Sequence, residues 1–342
     1  MGGKILANKY VVNVTLEKQR NAMSKAKSDV TDFASEIGYE PINLAQIDNK
    51  IKRVVLTNFI IKKAFGKLRK NDTLLVQFPT YMGKHFDDRL FVWLKTHGVK
   101  TIALIHDIDC LRFDDPKYPS LATVVNQLNN FDIVISSNKV MSKFLQNNGL
   151  NPATISLDIF DYKHNATLQQ KEFSETLNFA GNLDKSKFLQ DLEGNGTIKY
   201  ELFGKLTEKE NLPSFTKYNG SFLPEQLPGE FKKGFGLVWD GESPHKVLGK
   251  IGLYQRYNNP HKVSLYLSAG LPVIIWNQAA LAEFVLENKV GLVVDSLDSV
   301  ADKIAQISPK EYNEMVANAE QLSKKLVTGT FTKEALKKAE LL

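Results

Sequence analysis

The sequence predicts an α/β chain built from two doubly wound domains. Three observations carry that prediction. At 342 residues the chain exceeds what one hydrophobic core organises well, and suits two domains. In the first half, short apolar, β-branched runs alternate with longer helix-like segments, the pattern of a parallel sheet covered on both faces. After a polar, aperiodic stretch the same alternation restarts.

In chain order, "SKAKSDVTDFASEIGYEP" (24–41) reads as a helix ending at Gly38. "DTLLVQF" (72–78), "VKTIALIHD" (99–107) and "FDIVISS" (131–137) are apolar runs of buried-strand length. Between the first two, "FDDRLFVWLKTHG" (86–98) sets Phe86, Leu90, Val92, Trp93 and Leu94 at roughly helical spacing and stops at Gly98. "NKVMSKFLQNNG" (138–149) predicts a helix capped by Asn138 and ended by Gly149. Residues 155–175 lose periodicity and read as the interdomain linker. Beyond it, segments 176–183, 197–204, 234–241, 270–277 and 289–296 are five more strand candidates, with helices at 258–269 and 279–288. Ser308-Pro309-Lys310-Glu311 is a capping box with Pro at the first helical position, and "TKEALKKAELL" (332–342) is a final helix. The domains are therefore expected at 1–160 and 170–328, followed by the tail 329–342.

Composition narrows the function classes. A 43% hydrophobic and 24% charged chain is that of a soluble globular protein. No apolar run approaches the roughly 18–20 residues of a membrane span, and "MGGKILANKYVV" lacks a signal peptide's apolar core. The single Cys110 forms no internal disulfide, which fits a cytoplasmic location. A net charge of +6 favours anionic ligands, but the lysines are dispersed and no nucleic-acid motif accompanies them. Nucleic acid is therefore not an expected partner, and membrane contact is expected to be peripheral at most. Fingerprints of dinucleotide, P-loop, α/β-hydrolase and zincin sites are missing, and six scattered histidines give no metal-ligand spacing.

The remaining candidates lie at strand ends, where open α/β sheets bind ligands. "GNLDK" offers Gly181 for close backbone approach, Asn182 as a hydrogen-bonding group and Lys185 near the next helix start; a β-turn with surface lysines describes it as well. "NNPHK" (258–262) repeats the device, with Lys262 in a helical first turn, where a cation opposes the helix dipole unless an anion neutralises it. Two such sites in one domain fit a diphosphate. Trp239 and Asp240 end another strand, the Trp being an equally ordinary core residue. Phe222 either stacks on a base or staples a helix. In the first domain, "IHDID" places Asp107 as a candidate general base beside His106, although strand-end acids also cap loops. "QFPTY" offers Gln77, Thr80 and Tyr81 on the acceptor side, or a proline-stabilised turn.

"KKGFGLVWDG", "YNNPHKVSLYLSAGLPVIIW" and "FVLENKVGLVV", together with "TDFASEIGY", "QFPTY", "IHDID", "FAGNLDKSKF" and "GTFTKEALKKAELL", resemble in order and spacing a bacterial GT-B glycosyltransferase group. That group includes streptococcal glucosyltransferase 3 (nucleotide-sugar-synthetase-like), which acts on serine-rich-repeat adhesins, and β-1,6-galactofuranosyltransferases. The resemblance implies GT-B architecture: two Rossmann-like domains facing a cleft, with the C-terminal helix returning to the first. It implies a UDP-sugar co-substrate held by the second domain, no other cofactor, no metal, and a homo-oligomer such as a tetramer. Residue by residue, Lys185 matches a basic position at the diphosphate and Phe222 an aromatic near the uracil. Pro260, His261, Lys262, Val263, Ser264 and Leu265 match the nucleotide-binding stretch. Asn21 and Ala22 match a position that reaches the nucleotide, although Ala22 lacks the hydroxyl expected there. Tyr257 and Leu265 stand roughly where many retaining members carry two glutamates, which points to inversion. The expected activity is transfer of glucose or GlcNAc to a GlcNAc-modified adhesin. Alternatives are galactofuranosyl transfer into surface polysaccharide, signalled by Pro260-His261 in place of a Ser-Tyr pair, and a non-catalytic nucleotide-sugar-binding subunit.

Overall fold

The computed structural model describes residues 7–15, 22–47, 49–194, 196–207 and 212–342; the side chains of Ala22 and Met23 lie outside that description. The chain divides into two compact units. The first holds residues 1–110, 117–157 and 331–342, and the second 111–116 and 158–330.

In the first unit the described strands are β1 (Lys9–Thr15), β2 (Tyr39–Ala45), β3 (Thr73–Phe78), β4 (Lys100–Ile105), β5 (Ile133–Ser136) and β6 (Ala153–Ser156). They form one parallel sheet in the order β2-β1-β3-β4-β5-β6. β3 is buried along its whole length, as an apolar run in a two-sided sheet must be. β2 instead alternates, with Tyr39, Ile42 and Leu44 inward and Pro41 tolerated because the strand is at the edge. Helix α1 (Ala22–Ser35) ends in a turn at Gly38, whose φ of +92° suits glycine. Helices α2 (Lys50–Phe65) and α3 (Lys84–Thr96) pack beside each other, with the Phe65 and Trp93 ring centroids 6.4 Å apart. The helix Lys139–Asn147 is capped as expected by Asn138, whose Oδ1 accepts from the Met141 N–H at 2.8 Å.

The second unit holds β7 (Glu172–Ala180), β8 (Lys199–Phe203), β9 (Thr216–Gly220), β10 (Lys233–Val238), β11 (Val273–Trp276) and β12 (Gly291–Val294). Its parallel sheet runs β12-β11-β10-β7-β8-β9. The segment expected as a linker is shorter and better packed than its polarity implied: β7 begins at Glu172, and Leu157, Ile159, Phe160 and Tyr162 are buried. The helix Pro309–Val327 starts with the capping box, Ser308 Oγ accepting from Glu311 N–H and Glu311 Oε2 from Ser308 N–H. The last helix, Thr330–Leu341, packs on the first unit through buried Ala335, Leu336 and Ala339 and through Lys333–Glu36 and Lys9–Glu340 ion pairs. No helix among the described residues is long and apolar enough to cross a membrane.

Candidate active site

Each sheet has one point where the connections from neighbouring parallel strands leave in opposite directions: β1/β3 in the first unit and β7/β10 in the second. Loops diverge there and open a crevice beyond the strand ends, so these are the places where ligands bind in such sheets.

In the second unit, Gly181 and Asn182 follow β7, and Trp239 and Asp240 follow β10. The helix His261–Ser268 arrives over the same crevice because Gly236 on β10 leaves room for it. A Cβ at Gly236 would sit 2.2 Å from Cγ of Tyr266. Tyr266 thus lies against the sheet, and its hydroxyl accepts from the Ala180 N–H at 2.8 Å, tying the helix to the end of β7. Burial first of all pushes that hydroxyl above the usual phenol range, so it stays protonated.

This placement sets Lys262, in the first helical turn, above the strand ends. Its ammonium pairs with Asp240, lies 5.1 Å from the Phe179 ring centroid, and its Cε would be 3.4 Å from a Cβ on Gly181. The "GNLDK" and "NNPHK" loops therefore converge. Asn182 and Lys185 are exposed on the short turn after β7, which the Asp184–Thr207 hydrogen bonds (2.7 and 2.8 Å) tie to the loop after β8. Ser264 is buried, and its Oγ finds no hydrogen-bond partner among the described residues. A cation anchored by one carboxylate and the free N–H groups of a helix start, together at one switch point, are groups that can hold an anion.

Other predicted residues serve as scaffold. Trp239 is wholly buried and donates its indole N–H to Ser243 O at 3.0 Å, so its ring offers no ligand surface; the expected donor contact is replaced by a core role. Val263 and Leu265 are core, and Pro260 is the buried N-cap. His261 packs on Phe160 and Tyr162 (centroids 5.4 and 5.9 Å), with both ring nitrogens buried. Phe222, half-buried just after β9, joins a run of rings through Phe203 (6.1 Å) and Phe231 to Tyr266.

The first unit's switch point is built from buried polar groups. Lys27 of α1, itself buried, donates to Pro79 O at 2.6 Å and to Gln77 O at 3.3 Å, clamping the turn after β3. Gln77 Nε2 donates to Val12 O and to Thr31 Oγ1, so its Oε1 faces His106 and accepts from Nε2–H at 2.8 Å. That network assigns the His106 tautomer. Thr80 Oγ1 donates to buried Asp87 at 2.6 Å, and Tyr81, at φ +59°, lies 4.8 Å beneath the Lys27 ammonium. Burial pushes Asp87 up to about 7 and Lys27 down to about 8, the latter opposed by the charges of Asp107, Asp109 and Asp87. Gln77 and Thr80, expected to meet an acceptor, thus have their polar groups bonded inside the protein and shape the loop instead. Asp107 is half-buried and keeps an exposed face. Lys27 and Asp87 were missed: a Lys and an Asp inside amphipathic helices read as solvated polarity until the fold buries them. Asn21 lies outside the described residues, as does the side chain of Ala22.

Two family models match almost the whole chain, glucosyltransferase 3-like N-terminal domain over residues 8–159 and glucosyltransferase 3-like C-terminal domain over residues 177–339. The chain belongs to the glucosyltransferase 3-like family. Among its relatives, the β-1,6-galactofuranosyltransferase WbbI of Escherichia coli (strain K12) is 32% identical over 96% of this chain and 97% of its own length. Glucosyltransferase 3 of Streptococcus gordonii is 29% identical over 91% of this chain and 92% of its own. Solved structures share the fold at low identity. A trehalose-6-phosphate structure from E. coli bound with UDP-2-fluoro glucose has a TM-score of 0.60 at 12% identity, covering 98% of this chain and 99% of that one. An α-glucosyltransferase in complex with UDP and DNA has a TM-score of 0.59 at 12% identity, covering 97% and 98%. The architecture is GT-B, and the family is one of glycosyltransferases.

Proposed function

We propose that this glycosyltransferase moves a hexose, glucose or GlcNAc, from a UDP-sugar to a sugar acceptor, with inversion and without a metal. The observation that carries this is Lys262, held by Asp240 at the β7/β10 switch point beside the Gly181 backbone. There the ammonium, the helix N–H groups and Ser264 Oγ would stabilise the diphosphate as the bond from the anomeric carbon to its oxygen breaks. Lys185 would add a second, exposed cation, and Phe222 a face for the uracil. In the first unit Asp107 would take the acceptor hydroxyl's proton as the new glycosidic bond forms, with His106 fixed by Gln77 as its positioning neighbour.

The acceptor proposed first is a GlcNAc-modified serine-rich-repeat adhesin, met in the cytoplasm by a homo-oligomeric enzyme. A second reading, galactofuranosyl transfer into a surface polysaccharide, is favoured by the 32% identity to WbbI and by Pro260-His261. One panel separates them: UDP-glucose, UDP-GlcNAc, UDP-galactose and UDP-galactofuranose, each offered with a GlcNAc-bearing peptide and with simple glycosides, products read by mass. A hexose added to the peptide from UDP-glucose, or a HexNAc added from UDP-GlcNAc, supports the first reading. Transfer from UDP-galactofuranose alone supports the second, and absence of UDP release with every pair leaves a binding subunit. Activity lost in EDTA and restored by manganese would contradict metal independence.

A further inference from the structure

α2 leaves an apolar face exposed on the first unit. Of its 16 residues only Thr57, Ile61 and Phe65 are buried. Ile51, Val55 and Phe59, spaced i, i+4 and i+8 along one face, are 76%, 72% and 64% exposed, with Val54 and Leu56 beside them. Val92 on the adjoining α3 is exposed as well. Isolated exposed apolar residues are ordinary, but a contiguous strip on one helix marks a contact surface.

The charges around the strip say what covers it. The helix contains Lys50, Lys52, Arg53, Lys62 and Lys63 and no acid. Arg53 turns inward, reaching Ile47 O at 3.5 Å and lying by Gly83, whereas the four lysines are exposed and make no ion pair among the described residues. The acids of the neighbouring helix are occupied, Asp87 by burial and Asp88 by Lys84. An apolar strip flanked by unpaired cations is the pattern of a helix that lies in a membrane interface, apolar face in the acyl boundary and lysines among lipid phosphates. Pairing with a second copy would instead bring two sets of lysines together with no acid to offset them.

We propose that α2 docks this protein onto an anionic bilayer surface. The first turn of α2 adjoins the acceptor-side loop of the same unit, where Gln46 Nε2 donates to Tyr81 O at 3.4 Å and Arg53 meets Gly83. Docking therefore sets the Gln77–Tyr81 turn beside that surface. The docking itself rests on α2 alone and not on the transferase reading.

The test is sedimentation of the full chain with vesicles of phosphatidylethanolamine containing about one third phosphatidylglycerol, against vesicles of phosphatidylcholine. The expected result is binding to the anionic vesicles, weaker by about tenfold on phosphatidylcholine and weakened by added salt. Val55→Asp with Phe59→Asp, and separately Lys62→Gln with Lys63→Gln, each reduce binding about tenfold with the thermal midpoint and transfer to a soluble acceptor unchanged. Equal binding to both vesicle types, or full binding by both double variants, overturns the proposal. So does a wild-type dimer that the aspartates split into monomers while neither form sediments with vesicles, since the strip then joins two copies.

Discussion

The two switch points handle charge in opposite ways. At β7/β10 the cations stay near water: Lys262 is tied to a single carboxylate and Lys185 is exposed. At β1/β3 the charges are inside: Lys27 and Asp87 are buried and bonded to the turn they support. A partly solvated cation exchanges partners at low cost, as binding and releasing a diphosphate requires. A buried one fixes backbone, at a desolvation cost that pulls its pKa toward neutrality. Under the proposed function, binding and positioning are divided between the two units.

The largest effect that sharpens the contrast is a pH dependence of stability. Asp87 has a folded pKa raised to about 7, so its protonated form favours folding; stability is highest below its unfolded value and is lost as pH rises through about 7. Lys27 has a folded pKa lowered to about 8, so stability is regained as pH rises from there toward its unfolded value. Urea unfolding across pH 4 to 10 should therefore show a minimum between the two. Asp87→Asn should remove the fall on the acid side, at most about 4 kcal/mol, and Lys27→Met the rise on the alkaline side. Profiles of wild type and Asp87→Asn that run parallel would break this half of the comparison.

Next is Gly236→Ala. The added Cβ meets Tyr266, so we expect a loss of about 3 kcal/mol and displacement of the helix that carries Lys262, measured by denaturant midpoint and by UDP titration. Phe222→Ala should cost about 1 kcal/mol of UDP affinity, fivefold, while leaving unfolding nearly unchanged, because the ring is half-buried at the end of the aromatic run. The smallest effect on the fold is Ser264→Ala. Removing a buried hydroxyl with no partner should alter stability by less than about 1 kcal/mol, and any weakening of UDP binding then reports on the ligand alone.

Much of this was legible in the sequence where packing and local chemistry agree. β3, β4, β5 and β10 are apolar runs that only a two-sided sheet can bury, and the Asn138 and Ser308 caps announce their helices. Strands β2, β6 and β9 were not legible because edge strands are half-solvated and carry Pro41 or polar residues that mimic turns. That Lys262 stands in a first helical turn, against the dipole rule, was legible. Lys27 was not, since only the fold carries α1 across the end of β3. Trp239 shows the converse: of the two readings a strand-end aromatic leaves open, ligand platform or core, the structure gives the core one, with its N–H bonded to Ser243 O.

The division of labour is tested most directly by calorimetric titration of UDP into two lysine variants, with turnover of the preferred UDP-sugar measured beside it. Lys262→Ala should weaken UDP at least tenfold, about 1.4 kcal/mol, and slow transfer at least as much. Lys27→Met should bind UDP as the wild type does and lose turnover through a misplaced acceptor. Wild-type affinity and turnover in Lys262→Ala, or loss of UDP binding in Lys27→Met alone, would contradict the account.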